Sequence, residues 1–238
     1  MVGVREAIPF RESASALFGS GKPFAGEVGL SEICHSARRI SFPAHSTIFA
    51  ESDPSTTVYM LIHGTAGLYK MLADGRRQIV GFALPGDFLG SPFSDRYPCS
   101  VDAISEVTAR QFLREPFLTF LRAHPKSLCL ILEAALHESN AAHDHMLLLG
   151  RGTAEEKFAE FIFRWRARVR RGGALSNLVP LPMSRRDIAD FLGLTIETVS
   201  RVVTKLEREN IVRVTSEGLQ LMDSTERPLL FERSFNVA

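Results

Sequence analysis

Only three cysteines, Cys34, Cys99 and Cys129, occur in the 238 residues, and no two of them form a CxxC pair. An odd, scattered set excludes a disulfide framework and argues against a zinc or iron site. It leaves the three thiols as candidate redox groups, whose reactivity depends on exposure and charge state. No apolar run approaches the ~20 residues that a membrane-crossing helix requires, so no membrane partner is expected. The opening segment, MVGVREAIPFRESASALFGSGKPFAG, lacks the basic-then-apolar pattern of a secretory signal, and a cytoplasmic location is expected. Neither sign of charge is in excess: 28 Lys and Arg against 27 Asp and Glu leave a net charge of +1, so the chain is not a polycation. Internal repeats and low-complexity segments are missing too. No Ser/His/Asp grouping, paired carboxylate, metal-ligand cluster or phosphate loop stands out, which argues against an enzyme and against a metal or other cofactor.

What is present is ordinary in amount and organised in sequence. A chain that is 45% hydrophobic and 23% charged can bury a core, and its length suits two domains. The charge is divided unevenly. Residues 1–150 carry 13 basic and 15 acidic side chains, whereas residues 151–238 carry 15 and 12. A polyanionic partner would therefore meet the C-terminal part, through a local patch rather than bulk charge.

From about residue 33 to 112, short apolar runs alternate with turn signals. Asp74-Gly75 between two alternating runs predicts a hairpin, and Pro85-Gly86-Asp87 predicts another turn. Many short strands at regular spacing predict a jelly-roll-like β domain. Near Glu115 the pattern turns helical, and residues 125–150 contain no internal Gly or Pro until Gly150. There Leu128, Leu132, Ala135, Ser139, Ala142, Met146 and Leu149 form a heptad seam three repeats long, with small residues in its middle. The seam predicts pairing with a second copy of the helix. Leu130, Ile131, Leu136, Leu147 and Leu148 flank it and are expected to lie on the chain's own core. Gly150-Arg151-Gly152 reads as a hinge, and TAEEKFAEFIFRWRARVRR as a second helix ending in a basic cluster.

The C-terminal pattern is sharper. Ser184 is a strong N-cap with Asp187 three residues on, the helix RRDIADFL stops at Gly193, and Thr195 can cap a further helix from Ile196. Two short helices around a glycine-containing turn form a helix-turn-helix. At about 100° per residue, Glu197, Ser200, Arg201, Thr204, Lys205 and Arg208 share one face, while Val199, Val202, Val203 and Leu206 share the opposite one. In such motifs the N-terminal residues of the second helix meet base edges in the major groove. Arg donates well to guanine and Glu accepts from cytosine. Glu197, Ser200 and Arg201 are therefore the candidate base readers, and Ser184, Arg185, Arg186, Thr195, Thr198 and Lys205 are candidate phosphate contacts. The segment IVRVTSEGLQLMD reads as a two-stranded wing turning at Glu217-Gly218.

The order of β-roll, long helix and C-terminal helix-turn-helix resembles the CRP/FNR family of bacterial transcription regulators over about residues 33–222. DGRRQIVGFALPGDFLG and MSRRDIADFLGLTIETVSRVVTKLERENIV carry the resemblance, and Glu197 with Ser200 and Arg201 is similar to the FNR branch. Together with LGRGTAEEKFAEFI these residues look closest to the FixK group. The implied fold class is α+β, with four parts: an N-terminal extension (1–30), a double-stranded β-helix of cyclic-nucleotide-binding type (31–122), a dimerisation helix (123–150) and a winged helix-turn-helix domain (151–238). The resemblance implies a homodimeric activator on a TTGA-type inverted repeat in double-stranded DNA, acting on low-oxygen respiration or nitrogen-metabolism genes. RNA polymerase is the implied further partner, through residues 172–181 and the β-roll turn 71–77.

The family's ligands are tested residue by residue. Cyclic-nucleotide sensors carry a Gly-Glu pair after the PGDF turn and a later Arg-Ser pair. Here Gly90 is followed by Ser91, and Tyr97-Pro98 stands at the later pair. The iron–sulfur sensor needs closely spaced N-terminal cysteines and a fourth in the β-roll; here only Cys34 is available, and Arg110 stands at the fourth position. His45, His63, His137, His143 and His145 match a haem ligand by residue type alone. No conventional ligand is expected, and gating of the β-roll by an unidentified metabolite or by thiol oxidation stays open.

Overall fold

The computed structural model describes residue 33, residues 37–169 and residues 177–222. The expected N-terminal extension, Cys34 and residues 172–176 of one expected polymerase patch lie outside the described residues.

Eight strands build the β-roll: β1 (Arg38–Phe42), β2 (Thr47–Phe49), β3 (Thr57–His63), β4 (Ala66–Met71), β5 (Arg77–Ala83), β6 (Phe88–Leu89), β7 (Ser100–Ala103) and β8 (Val107–Leu113). They form two four-stranded sheets, ordered β1-β8-β3-β6 and β2-β7-β4-β5. Inward-facing Phe49, Tyr59, Leu61, Val101, Val107 and Ala109 pack between them, as period-two alternation on facing sheets requires. Both expected turns form: Gly75 and Gly86 take φ of 81° and 97°, conformations that suit glycine.

A one-residue register slip occurs where β5 pairs with β4. Leu68 pairs with Gly81 and Tyr69 with Ile79, so Val80 is unopposed. The bulge resets the alternation and places Arg77, Ile79 and Phe82 on one face of the sheet. That face is not solvated: Ile79 and Phe82 are each 1% exposed and belong to the core of the C-terminal unit.

Helix α1 (Arg114–Ala123) leads into the long α2 (Pro125–Arg151). Phe117 and Leu121 of α1 pack with Val58, Met60 and Phe112, and Leu128 and Ile131 begin α2 on the same cluster. Leu132, Leu136, Met146 and Leu147 remain 57–67% exposed. Leu136 and Leu147 thus do not reach this chain's own core, although Ile131 does. The expected hinge shifts as well, because the helix runs through Arg151 and Gly152 caps it, its N–H bonded to Leu148 O at 2.8 Å.

Helix α3 (Ala154–Val169) turns the described part of its basic cluster inward: Arg164, Arg166 and Arg168 are all buried. Arg168 donates to Phe82 O at 2.9 Å and to Asp87 at 2.5 Å, while Arg164 pairs with Glu160 and lies 3.7 Å from Asp144. Buried guanidinium groups persist only with such partners. The unit closes with β9 (Leu178–Pro180), α4 (Arg185–Leu192), α5 (Ile196–Arg208) and the wing strands β10 (Val212–Val214) and β11 (Gly218–Leu221), in a sheet ordered β10-β11-β9.

Candidate nucleic-acid interface

Local chemistry alone places both helices of the motif. Ser184 Oγ accepts from Asp187 N at 3.1 Å, and the Asp187 carboxylate accepts from Ser184 N at 2.9 Å, a complete capping box. Gly193 ends α4 in the left-handed conformation at φ 60°. Thr195 then caps α5 by accepting from Thr198 N at 3.2 Å. Val199, Val202, Val203 and Leu206 of α5 are buried against Trp165, Phe161 and Phe191 in one core.

Burying that stripe turns the polar ridge outward. Glu197 and Arg201 are exposed and Ser200 is half-buried at its edge. The Glu197 carboxyl is held below its ordinary range by its own backbone N–H, by the Thr195 hydroxyl and by the charge of Arg201. Arg201 Nη2 donates to Thr198 Oγ1 at 3.2 Å, and Arg185 Nη1 reaches across from α4 to Ser200 Oγ at 3.5 Å. The three expected readers therefore share one end of one exposed ridge. Of the expected phosphate contacts, Arg185 and Arg186 are exposed at the start of α4. Ser184 and Thr195 serve as caps, and Thr198 supports Arg201. Lys205 ion-pairs with Glu155 of α3 at 2.7 Å.

Sequence reading missed a cleft of about 1160 Å³ between the β-roll and the starts of the two helices. His45, Arg76 and Gln78 line one side, with Arg186, Thr195 and Glu197 on the other.

The β-roll interior bears on the ligand question. Tyr97 is buried, stacks on Phe49 with ring centroids 3.8 Å apart, and donates its hydroxyl to Thr57 O at 2.8 Å. It packs against Gly90 so closely that an added Cβ would lie 2.9 Å from the ring. An aromatic plug thus sits beside the Gly90–Ser91 turn. Cys99 is buried and its thiol is pushed up to about 11, mainly by that burial; Cys129 is exposed on α2. His145 stacks on Phe191 and lies 3.1 Å from its carbonyl oxygen, an engaged packing residue. Among the described residues no group of three His, Cys, Asp or Glu side chains could hold a metal ion, and no helix is long and apolar enough to cross a membrane.

A β-roll joined through a long helix to a winged helix-turn-helix defines the architecture of a bacterial DNA-binding regulator. Comparison with known proteins agrees with that class. The family model for bacterial regulatory proteins of the crp family matches residues 181–212, and the cyclic nucleotide-binding domain model matches residues 39–124. The chain is 51% identical to the nitrogen fixation regulation protein FixK of Bradyrhizobium diazoefficiens, covering 82% of each chain. It is 47% identical to the transcriptional activatory protein AadR of Rhodopseudomonas palustris, covering 85% of this chain and 86% of that one. The solved structure of FixK2 from Bradyrhizobium japonicum superposes with a TM-score of 0.75 at 33% identity, over 85% of this chain and 99% of that one. The chain belongs to the CRP/FNR family, in its FixK group.

Proposed function

We propose that the protein is a cytoplasmic, homodimeric transcription activator that reads a TTGA-type inverted repeat through α5 of each protomer. The observation that carries this reading is the placement of Glu197, Ser200 and Arg201 together at the outward N-terminal end of α5. Arg201 supplies paired donors for guanine, Glu197 an acceptor for cytosine, and Ser200 a hydroxyl that can donate to or accept from a base edge. Arg185 and Arg186 set register on the phosphates. The exposed seam from Leu132 to Met146 supports a twin helix, which would space two recognition helices about one duplex turn, ~34 Å, apart.

Control of low-oxygen or nitrogen-metabolism genes is part of the proposal, and relatives named for nitrogen fixation regulation and transcriptional activation support its nitrogen side. RNA polymerase would be met by the exposed hairpin tip around Asp74 and Arg76 and by the segment before β9. Neither a cyclic nucleotide nor an iron–sulfur cluster is part of the proposal: Tyr97 fills the roll beside Gly90, and Arg110 stands at the fourth thiolate position. The exposed Cys129 is the one described thiol open to redox gating.

Two substitutions test the reading together. Arg201→Ala should cost about 1–3 kcal/mol per half-site and relax the choice at one base pair. Arg186→Ala should weaken all sequences alike and lower the salt dependence. Equal losses on specific and random duplexes for Arg201→Ala would refute the base-reading role.

A further inference from the structure

A compact polar contact holds the first helix of the helix-turn-helix, α4, against the β-roll. From β5, the Arg77 guanidinium ion-pairs with Asp187 and lies 3.3 Å from the Asp190 carboxylate, both on α4. It also sits over the Tyr69 ring, 5.5 Å from the centroid. Next to it the Gln78 amide donates to the Asp190 carbonyl. Behind these polar groups Phe82 lies between Phe191 of α4 and Trp165 of α3, at centroid distances of 5.4 and 5.8 Å. From α2, His145 stacks on the same Phe191 at 4.2 Å. Helix α4 is thus gripped by the roll and by the long helix at once.

Asp187 is shared between two tasks. One oxygen completes the capping box that starts α4, and the other takes Arg77. The orientation of the first helix, and of α5 packed on it, is thereby referred to the β-roll. The bulge at Val80 is what points Arg77 at α4 in the first place, since without it Arg77 and Phe82 would face opposite sides of the sheet.

We propose that Arg77 is a positioning residue for DNA reading: acting through Asp187 and Asp190, it fixes the angle of the helix-turn-helix relative to α2. In a two-fold dimer that angle sets the separation of the two recognition helices, and so the half-site spacing that the protein accepts. The inference rests on the proposed homodimeric DNA reader. A guanidinium shared by two carboxylates resists rotation better than a single ammonium, because its fork satisfies both in fixed geometry.

The test measures affinity of the full chain for palindromes whose spacer is lengthened or shortened by one or two base pairs, and for a single half-site. The unaltered protein should discriminate between spacings. Arg77→Ala should bind the preferred spacing about tenfold more weakly, the size associated with losing hydrogen bonds to charged groups. It should also bind all spacings nearly alike, while a base change within the half-site still costs as much as before. Arg77→Lys, which keeps the charge and loses the fork, should fall between the two and serves as the comparison if Arg77→Ala melts early. Unchanged spacing discrimination in both variants would overturn the proposal, as would parallel loss of spacing and base discrimination. If the unaltered protein does not prefer a palindrome to a half-site, it is the underlying dimeric reading that fails.

Discussion

Tyr97 is a buried aromatic plug of the β-roll, packed beside the Gly90–Ser91 turn. Its ring is stacked on Phe49 and its hydroxyl is bonded to Thr57 O. Tyr97→Ala would leave a large cavity and an unpaired carbonyl, and should destabilise the β-roll by about 3–5 kcal/mol. Tyr97→Phe removes only the hydroxyl bond and should cost about 1 kcal/mol. Denaturant unfolding of both variants checks the pair. The same experiment with cyclic AMP present should show no stabilisation of the unaltered protein, since a ligand that binds only the folded state must raise its stability. Stabilisation by the nucleotide would mean that the plug yields to it. At this scale the sequence was informative wherever the cause was local. Ser184, Gly193 and Thr195 announce the helix-turn-helix because capping needs only neighbours within three residues. Arg77 announces nothing, because its partners lie more than a hundred positions away and an Arg-Arg pair after a hairpin turn reads as surface.

Between elements, the contact of α2 with α4 depends on a neutral histidine. Burial lowers the His145 pKa, Arg164 and Lys157 lower it further, and the bond to the Phe191 carbonyl only partly opposes them. A folded pKa below the unfolded one means that the unfolded chain takes up the proton first. The stability from this group is therefore fully present above pH of about 6.5 and is lost as pH falls below it, down to the folded pKa. The melting temperature should drop as pH falls below about 6.5 more steeply for the unaltered protein than for His145→Gln; parallel curves would contradict the assignment. Helix α2 also carries the exposed seam. Met146→Asp places a charge at the twin-helix contact and should give monomers by sedimentation that lose palindrome binding while the fold persists; an unchanged dimer would remove the seam from the interface. The α3 helix taught the opposite lesson about legibility. Its RWRAR run reads as a basic cluster, yet Arg164 reaches Asp144 of α2, and Arg168 bonds Asp87 and the Phe82 carbonyl of the β-roll, which no helical periodicity reveals.

Taken whole, the molecule divides its labour more by surface than by core. The β-roll and the C-terminal unit share one hydrophobic cluster through Ile79 and Phe82, so α5 is packed into a core that includes the roll. The modest excess of basic over acidic side chains in residues 151–238 fits a reader that relies on a placed ridge rather than on bulk charge. The ridge itself was legible from the separation of Val199, Val202, Val203 and Leu206 from Glu197, Ser200 and Arg201. The cleft in front of it was not, because it exists only once β5 and β7 come to face the starts of α4 and α5. The most direct test of the central claim is selection of the full chain against random duplexes. The account predicts enrichment of a two-fold symmetric site with TTGA-type half-sites read about one duplex turn apart. Enrichment of an asymmetric sequence, or of none at all, would contradict it.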